Sequence, residues 1–418
     1  MQRLIVKGAK RLEGEVCVSG AKNAALPILA ATILLEGHSV VRNVPSLLDV
    51  TTIIRVLRAL GLRAEYSQSN PNTVDVWNYQ VRHVAPYELV TKMRASFFVI
   101  GPILAVKGLA KVPLPGGCAI GSRPVNLHIK GMEALGAEVR LEHGFVIARA
   151  HRLKGARIYL DFPSVGATEA VMMAATLAEG ETLIENAARE PEIVDLANFL
   201  KAAGAKIEGA GTEIINIKGM SKLSPVEYSI IPDRIEAGSL IVAAAVTGGR
   251  VRVKGLIPEH VEATVSKIRE SGIQVAESGN SILVSTNDGF RAVDVKTLPY
   301  PGFPTDMQPQ LSSLLCFARG TSVVTETIFE NRFMYVHELR RLGADIKLEG
   351  QSAIIRGVPG LSGAPVKVSD LRAGAALLLA ALAAEGETLI EDHDHHLSRG
   401  YENLIEKLNL LGAEVKSA

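Results

Sequence analysis

The chain has 418 residues, 47% of them apolar, 21% charged and 5% aromatic, with 45 Lys and Arg against 44 Asp and Glu. That length exceeds what one ordinary core organises, so two domains are expected. A formal net charge of +1 argues against a global field that would draw nucleic acid or an acidic membrane surface. Three scattered cysteines, Cys17, Cys118 and Cys316, form no CxxC pair; they argue against a disulfide framework or zinc site and for a reducing compartment.

The first residues, Met1-Gln2-Arg3-Leu4-Ile5-Val6-Lys7, lack the apolar run of a signal peptide. The longest apolar runs, around 95–106 and 373–384, are about a dozen residues, too short for a bilayer. A cytoplasmic protein without a membrane partner is expected. From there one unit recurs six times: an apolar helix, a glycine, a strand, then a second helix ending in glycine and a further strand. The second-helix glycines are Gly61, Gly136, Gly204, Gly272, Gly343 and Gly412, spaced 68 to 75 residues apart. Glycine after an apolar-periodic run is a helix stop. The first helices are predicted over 24–36, 168–179, 235–247, 308–319 and 371–385, each followed by a glycine (Gly37, Gly180, Gly248, Gly320, Gly386). Being apolar nearly all round, they should be buried.

Strands precede the later units in couples: 145–147 with 157–160, 214–217 with 226–229, 282–284 with 292–295, and 353–355 with 366–368. The chain ends just after the strand-like Glu414-Val415-Lys416, and residues 3–8 resemble 214–219. The N-terminal strand is therefore expected to return and complete the last repeats. The expected domains are 20–229 (repeats one to three) and 230–418 with 1–19 (repeats four to six), with the active site in the cleft between them.

One repeat is longer than the rest. From the first-helix glycine to the second-helix glycine is 24 residues in repeats one and three and 23 in repeat five, but 28 in repeat two, from Gly108 to Gly136. The extra residues fall in Leu114-Pro115-Gly116-Gly117-Cys118-Ala119-Ile120-Gly121-Ser122-Arg123-Pro124, whose glycines and prolines forbid a regular helix or strand. An insertion in a regular repeat is more often functional than structural. A thiol there can act as proton donor or nucleophile, so Cys118 is the leading catalytic candidate; Cys17 and Cys316, in a strand and a buried helix, keep a structural reading.

Cations stand at loop-to-helix junctions: Lys22 beside Asn23, Arg94, Arg123 and Arg399. Helix starts favour anions, and Ser164-Val165-Gly166-Ala167-Thr168 is another such start. Asp306 opens the first helix of repeat five as either an N-cap or a working carboxylate; Asp370 with Arg372, and Asp233 with Arg234, recur at the same place in repeats six and four. The run Glu391-Asp392-His393-Asp394-His395-His396 has no helical i, i+4 frame and is not read as a metal site. There is no Walker loop, no GxGxxG after a strand and no basic–aromatic interleaving.

Taken together, residues 19–23, 93–96, 115–124, 164–168, 185–195, 303–308, 326–334 and 399–401 resemble the enolpyruvyl transferase family, and within it the enzymes acting on UDP-N-acetylglucosamine, from end to end. The resemblance implies an α/β fold of two inside-out domains, each of three βαβαββ units with buried helices. It implies transfer of the enolpyruvyl group of phosphoenolpyruvate to the 3′-hydroxyl of UDP-N-acetylglucosamine, through a tetrahedral ketal, in the first committed step of peptidoglycan synthesis. Cys118 would protonate carbon 3, and Asp306 would take the sugar hydroxyl proton or steer the late steps. Lys22, Arg123 and Arg399 would hold phosphoenolpyruvate. Asn23, Arg94, Arg123, Pro124, Val125, Asn126, Leu127, Ser164, Val165, Asp306 and Ile328 would line the nucleotide-sugar site. No metal, organic cofactor or obligate protein partner is implied. Two positions depart from the usual pattern: Asn126 stands where the family usually has Asp, and Phe162 where some members have Lys. The rivals are a transferase of the 5-enolpyruvylshikimate 3-phosphate type, which lacks the Cys118 loop motif, a non-catalytic nucleotide-sugar-binding paralogue, and a repeat scaffold for protein partners.

Overall fold

The computed structural model describes residues 2–116, 120–121, 124–286 and 289–417. The chain forms two compact units. The first takes residues 20–118 and 123–231; the second takes 1–19, 119–122 and 232–418. Each has its own apolar core.

Three helices fill the centre of the first unit: α1 (Lys22–Ala31), α2 (Ile100–Lys107) and α3 (Val165–Ala175). In the second unit the equivalents are α4 (Arg234–Val246), α5 (Gln308–Leu315) and α6 (Leu371–Ala383). Except in α5, which buries Gln308, Gln310, Ser312 and Ser313, their largely apolar sequences leave almost no polar face, and α6 buries a continuous run from Arg372 to Leu382. Each fully buried Leu or Ile contributes about 1.5–3 kcal/mol, and alanines let helix axes approach. The closest approach is at Gly101, where an added Cβ would lie 2.3 Å from the carbonyl oxygen of Ala170, so the backbones of α2 and α3 touch and alanine would force them apart. The outer helices instead bury one stripe: Leu48–Ala59 buries Val50, Ile53, Ile54 and Leu57, the spacing of one helical face.

Among the described residues six small sheets cover these helices. In the third repeat the order is 206–208, 214–218, 181–185, 157–159, with the last two strands parallel and the others antiparallel. The fourth and fifth repeats follow the same plan. In the sixth, strand Gln2–Lys7 lies between Glu387–Asp392 and Glu414–Ser417, antiparallel to both. It takes the place that Ile214–Lys218 holds in the third, as the likeness of the two segments suggested.

Two expectations need correction. The strand couples are not paired with each other. Phe145–Arg149 pairs with Leu109–Pro113 and Glu138–Glu142, whereas Arg157–Tyr159 pairs with Glu181–Glu185. Glu227–Ser229 lies parallel to Gly37–Arg42 in the first repeat, and the fourth repeat takes Glu13–Cys17 as its parallel edge instead. The connectors within the couples exceed the two to five residues of a tight hairpin, so adjacency in sequence does not compel pairing. The first helices also stop earlier than their glycines. Leu35, Glu179, Arg319 and Glu385 already form parallel bridges with Leu223, Lys154, Arg291 and Ser362. A residue committed to a sheet bridge cannot continue the helix, so each helix unwinds before its Gly.

Among the described residues no helix is long and apolar enough to cross a membrane.

Candidate active site

In the first unit the predicted residues sit where the central helices begin. Gly20 presses on Asn43, whose carbonyl oxygen would lie 1.6 Å from an added Cβ, so only glycine fits just ahead of α1. Lys22 opens α1 and is buried; its Nζ lies 3.2 Å from Asp49 Oδ2, in the first turn of the next helix. The lysine expected to greet an anion therefore already has a carboxylate partner, which fixes its side chain. Asn23 follows it, half-buried.

A second group gathers around a residue that sequence reasoning passed over. His128, in the helix Asn126–Ala134, is buried, stacks edge-on against Phe97 with centroids 5.4 Å apart, and abuts Gly166 at the start of α3. Burial pushes its pKa down to about 3, and the charge of Arg94 adds to this, so the imidazole is neutral. Arg94 opens a 3₁₀ turn, Arg94–Val99, that runs into α2. Pro124 and Asn126 are exposed, Val125 is buried and Leu127 half-buried. Ser164 caps α3, its Oγ accepting from the Ala167 N–H at 3.4 Å, and Val165 is the first helical residue. Residues 124–128, Arg94 and the Ser164 turn are thus brought together by His128. Its signal in sequence was weak, because a lone histidine in an apolar helix resembles a core residue.

The same unit buries an acidic patch. Burial, then the charges of Glu192 and Glu190, pushes the Glu169 carboxyl well above its usual range. Burial raises Asp195 to about 6, although the Tyr228 hydroxyl (2.6 Å) and the Ile231 N–H (3.2 Å) favour its charged form.

In the second unit Asp306 lies in the 3₁₀ turn Thr305–Met307 ahead of α5. The N-cap positions are Pro304 for that turn and Met307 for α5, so Asp306 is not the N-cap residue, which corrects that reading. Its two oxygens accept from two arginines, Oδ1 from Arg332 Nη2 at 3.1 Å and Oδ2 from Arg372 Nη2 at 2.9 Å. Both guanidinium groups are nearly fully buried, whereas Asp306 is 29% exposed. Burial disfavours the Arg372 charge, but the neighbouring Asp306, Tyr401 and Asp233 outweigh it and hold the guanidinium protonated. Arg372 also lies over the Tyr401 ring, 5.3 Å from its centroid. Tyr401 in turn meets Ser239 and Gln310 through its hydroxyl. Asp370 and Asp233 are the caps, each accepting from two backbone N–H groups at the starts of α6 and α4.

Arg399 lies in the short helix His396–Gly400. The histidine-rich run before it serves that helix: buried Asp392 accepts from the N–H groups of His396 and Leu397 and from the His396 ring. Ile328 is half-buried in a loop after the strand Thr321–Thr325. Cys316 is buried at the end of α5, its thiol donating to the Ser312 carbonyl, and burial pushes its pKa up to about 12. Cys17 is exposed at the end of its strand, so its structural reading does not rest on burial. Cys118 and Arg123 lie outside the described residues.

This fold and these residues define a class. The family described as EPSP synthase (3-phosphoshikimate 1-carboxyvinyltransferase) matches residues 6–408. Over the whole chain it is 53% identical to UDP-N-acetylglucosamine 1-carboxyvinyltransferase 2 of Carboxydothermus hydrogenoformans, covering 99% of that protein. It is 54% identical to UDP-N-acetylglucosamine 1-carboxyvinyltransferase of Geobacter metallireducens, again covering 99% of it. Among solved structures, the enolpyruvyl transferase NikO from Streptomyces tendae superposes with a TM-score of 0.89 at 27% identity, covering 100% of this chain and 99% of that one. EPSP synthase from Acinetobacter baumannii shares the fold at a TM-score of 0.77 and 18% identity, with both chains fully covered. The chain belongs to the carboxyvinyltransferase family, and within it to the UDP-N-acetylglucosamine 1-carboxyvinyltransferases.

Proposed function

We propose that this protein transfers the enolpyruvyl group of phosphoenolpyruvate to the 3′-hydroxyl of UDP-N-acetylglucosamine, releasing phosphate, as a cytoplasmic step of peptidoglycan synthesis. The observation that carries this reading is identity of 52–54% to five relatives of that name over essentially the whole chain. The shikimate-type alternative is not favoured, since the likeness to EPSP synthase from A. baumannii at 18% identity concerns the fold alone.

The chemistry fits the residue types. The sugar oxygen attacks carbon 2 of phosphoenolpyruvate while the π electrons take a proton at carbon 3, giving the tetrahedral ketal. Carbon 3 then loses a proton, the carbon–phosphate oxygen bond breaks, and the double bond returns. Cys118 supplies the proton to carbon 3. Asp306 accepts the proton of the sugar hydroxyl; the paired Arg332 and Arg372 hold its two oxygens in a fixed direction, which is what a general base needs. Lys22, Arg123 and Arg399 offset the charge of phosphoenolpyruvate. Arg94, Asn23, residues 124–127, Ser164, Val165, Asp306 and Ile328 hold the nucleotide sugar, and Asn126 tunes that affinity.

The test is phosphate release from phosphoenolpyruvate with UDP-N-acetylglucosamine or with shikimate 3-phosphate as acceptor. Release only with the nucleotide sugar is expected. Release only with shikimate 3-phosphate would overturn the reading.

A further inference from the structure

One buried carboxylate of the second unit is assigned no part in the reaction above. Glu326, just after the strand Thr321–Thr325, is 2% exposed and among the described residues pairs with no lysine or arginine. Four donors converge on it instead. Its Oε1 accepts from the Thr297 hydroxyl at 2.9 Å, the Ile328 N–H at 2.8 Å and the Phe329 N–H at 3.2 Å; its Oε2 accepts from the Thr305 hydroxyl at 2.9 Å. Thr297 Oγ1 also accepts from the Thr327 N–H at 2.9 Å, and the Thr327 hydroxyl donates to the Thr297 carbonyl. Taking a carboxylate out of water is costly unless hydrogen bonds replace its hydration. An apolar side chain there would avoid that cost but leave the two N–H groups and two hydroxyls without this acceptor.

What the carboxylate joins explains its use. One oxygen holds the turn that presents Asp306, through the residue immediately before it. The other holds the backbone that presents Ile328. We propose that Glu326 is a positioning residue that sets the base Asp306 and the nucleotide-sugar contact Ile328 in one fixed relation, without itself touching substrate. This rests on the enolpyruvyl-transfer reading of Asp306 and Ile328.

Steady-state kinetics of the full chain, with each substrate varied in turn, tests it. Because misplacing a reacting group by about an ångström costs up to about a hundredfold in rate, Glu326→Ala is expected to lower kcat about tenfold or more and raise the KM for UDP-N-acetylglucosamine about tenfold. The KM for phosphoenolpyruvate should stay within about twofold. Simple loss of folded protein would lower kcat and leave both KM values alone; that result, or an equal rise in both, would overturn the proposal. Glu326→Gln keeps an oxygen toward Ile328 and Phe329, and its amide can donate to a rotated Thr305 hydroxyl. It should restore the nucleotide-sugar KM, and a glutamine variant as impaired as alanine would count against the proposal. Should Glu326→Ala fail to fold, Thr305→Val cuts only the link to the Asp306 turn. It is expected to lower kcat several-fold with the nucleotide-sugar KM nearly unchanged, and unchanged kcat would overturn the proposal. Wild-type protein assayed alongside separates the two questions: no release with the nucleotide sugar defeats the function, whereas an active wild type with indifferent variants defeats only the role of Glu326.

Discussion

The two units repeat one plan but charge the starts of their central helices differently. In the first, α1, α2 and α3 have no acidic residue in their first turns, and α1 begins with Lys22. In the second, α4 and α6 are capped by Asp233 and Asp370, and Asp306 lies just ahead of α5. Helix starts carry partial positive charge. In the first unit no acidic residue stands in those first turns, which under the proposed function leaves that charge to an anion such as a diphosphate-bearing ligand. The second meets it with its own carboxylates and then adds buried arginines. Under the proposed function, the first unit would supply anion binding and the second carboxylate chemistry.

The sharpest way to break this contrast is at Asp306. General bases contribute about 10²–10⁴ in rate, so Asp306→Asn should lower kcat by about a thousandfold in a phosphate-release assay while the protein still binds UDP-N-acetylglucosamine by calorimetry. Asparagine is the informative choice, because alanine would leave Arg332 and Arg372 buried without their shared partner and would cost about 3–5 kcal/mol of stability. Wild-type kcat in the asparagine variant would leave Asp306 only a structural clasp for two arginines. Next comes the thiol. Cys118→Ser should reduce turnover about a hundredfold, in the range of a lost general acid, and leave nucleotide-sugar affinity nearly unchanged. An epoxide phosphonate such as fosfomycin should label Cys118 on peptide mapping. Buried Cys316, with its thiol pushed up to about 12, should not react; exposed Cys17 is the stringent control, and labelling there would argue against selective activation of Cys118.

These residues differ in how far the sequence exposed them. The repeat was legible because each second helix stops at a glycine, and Gly61, Gly136, Gly204, Gly272, Gly343 and Gly412 all adopt the left-handed backbone that such stops require. Strand partnership was not legible: Glu227–Ser229 and Glu13–Cys17 are short strands whose local sequences do not say which sheet they will join. Asp306 was visible as a candidate, but its two arginines were not. Arg332 lies 26 residues away and Arg372 lies 66 away, and nothing local marks an arginine as destined for burial. Glu326 was hidden for the same reason, since its four donors come from three separate segments.

A pH series probes the buried acids of the first unit. Asp195 has a folded pKa raised to about 6 from an ordinary 3.8. A raised carboxyl pKa means that the folded state holds the proton more tightly. Its stabilising contribution is complete below about pH 4 and is lost as pH rises through 6. A rise of that size is worth about 2–3 kcal/mol. Stability measured by urea unfolding should therefore fall between pH 4 and pH 7, and Asp195→Asn should flatten that fall. An unchanged slope in the variant would assign the dependence to other groups, such as Glu236, which burial raises to about 7 against its ion pair with Lys407.

The smallest expected effect bears most directly on the contrast between helix starts. Ser164 offers α3 one long bond of 3.4 Å from a neutral hydroxyl. Asp370 offers α6 two bonds, at 2.9 and 3.1 Å, from a carboxylate that also opposes the helix dipole. Replacing a cap by alanine costs about 0.5–2 kcal/mol. Ser164→Ala should sit at the bottom of that range and Asp370→Ala at the top, by thermal or urea unfolding. Added UDP-N-acetylglucosamine should stabilise both proteins in proportion to its affinity, but the Ser164 variant should gain less than wild type if its hydroxyl also contacts the ligand as proposed. If Ser164→Ala costs as much stability as Asp370→Ala and gains as much from ligand as wild type, the start of α3 is an ordinary capped helix. The proposed anion binding in the first unit would then draw no support from Ser164.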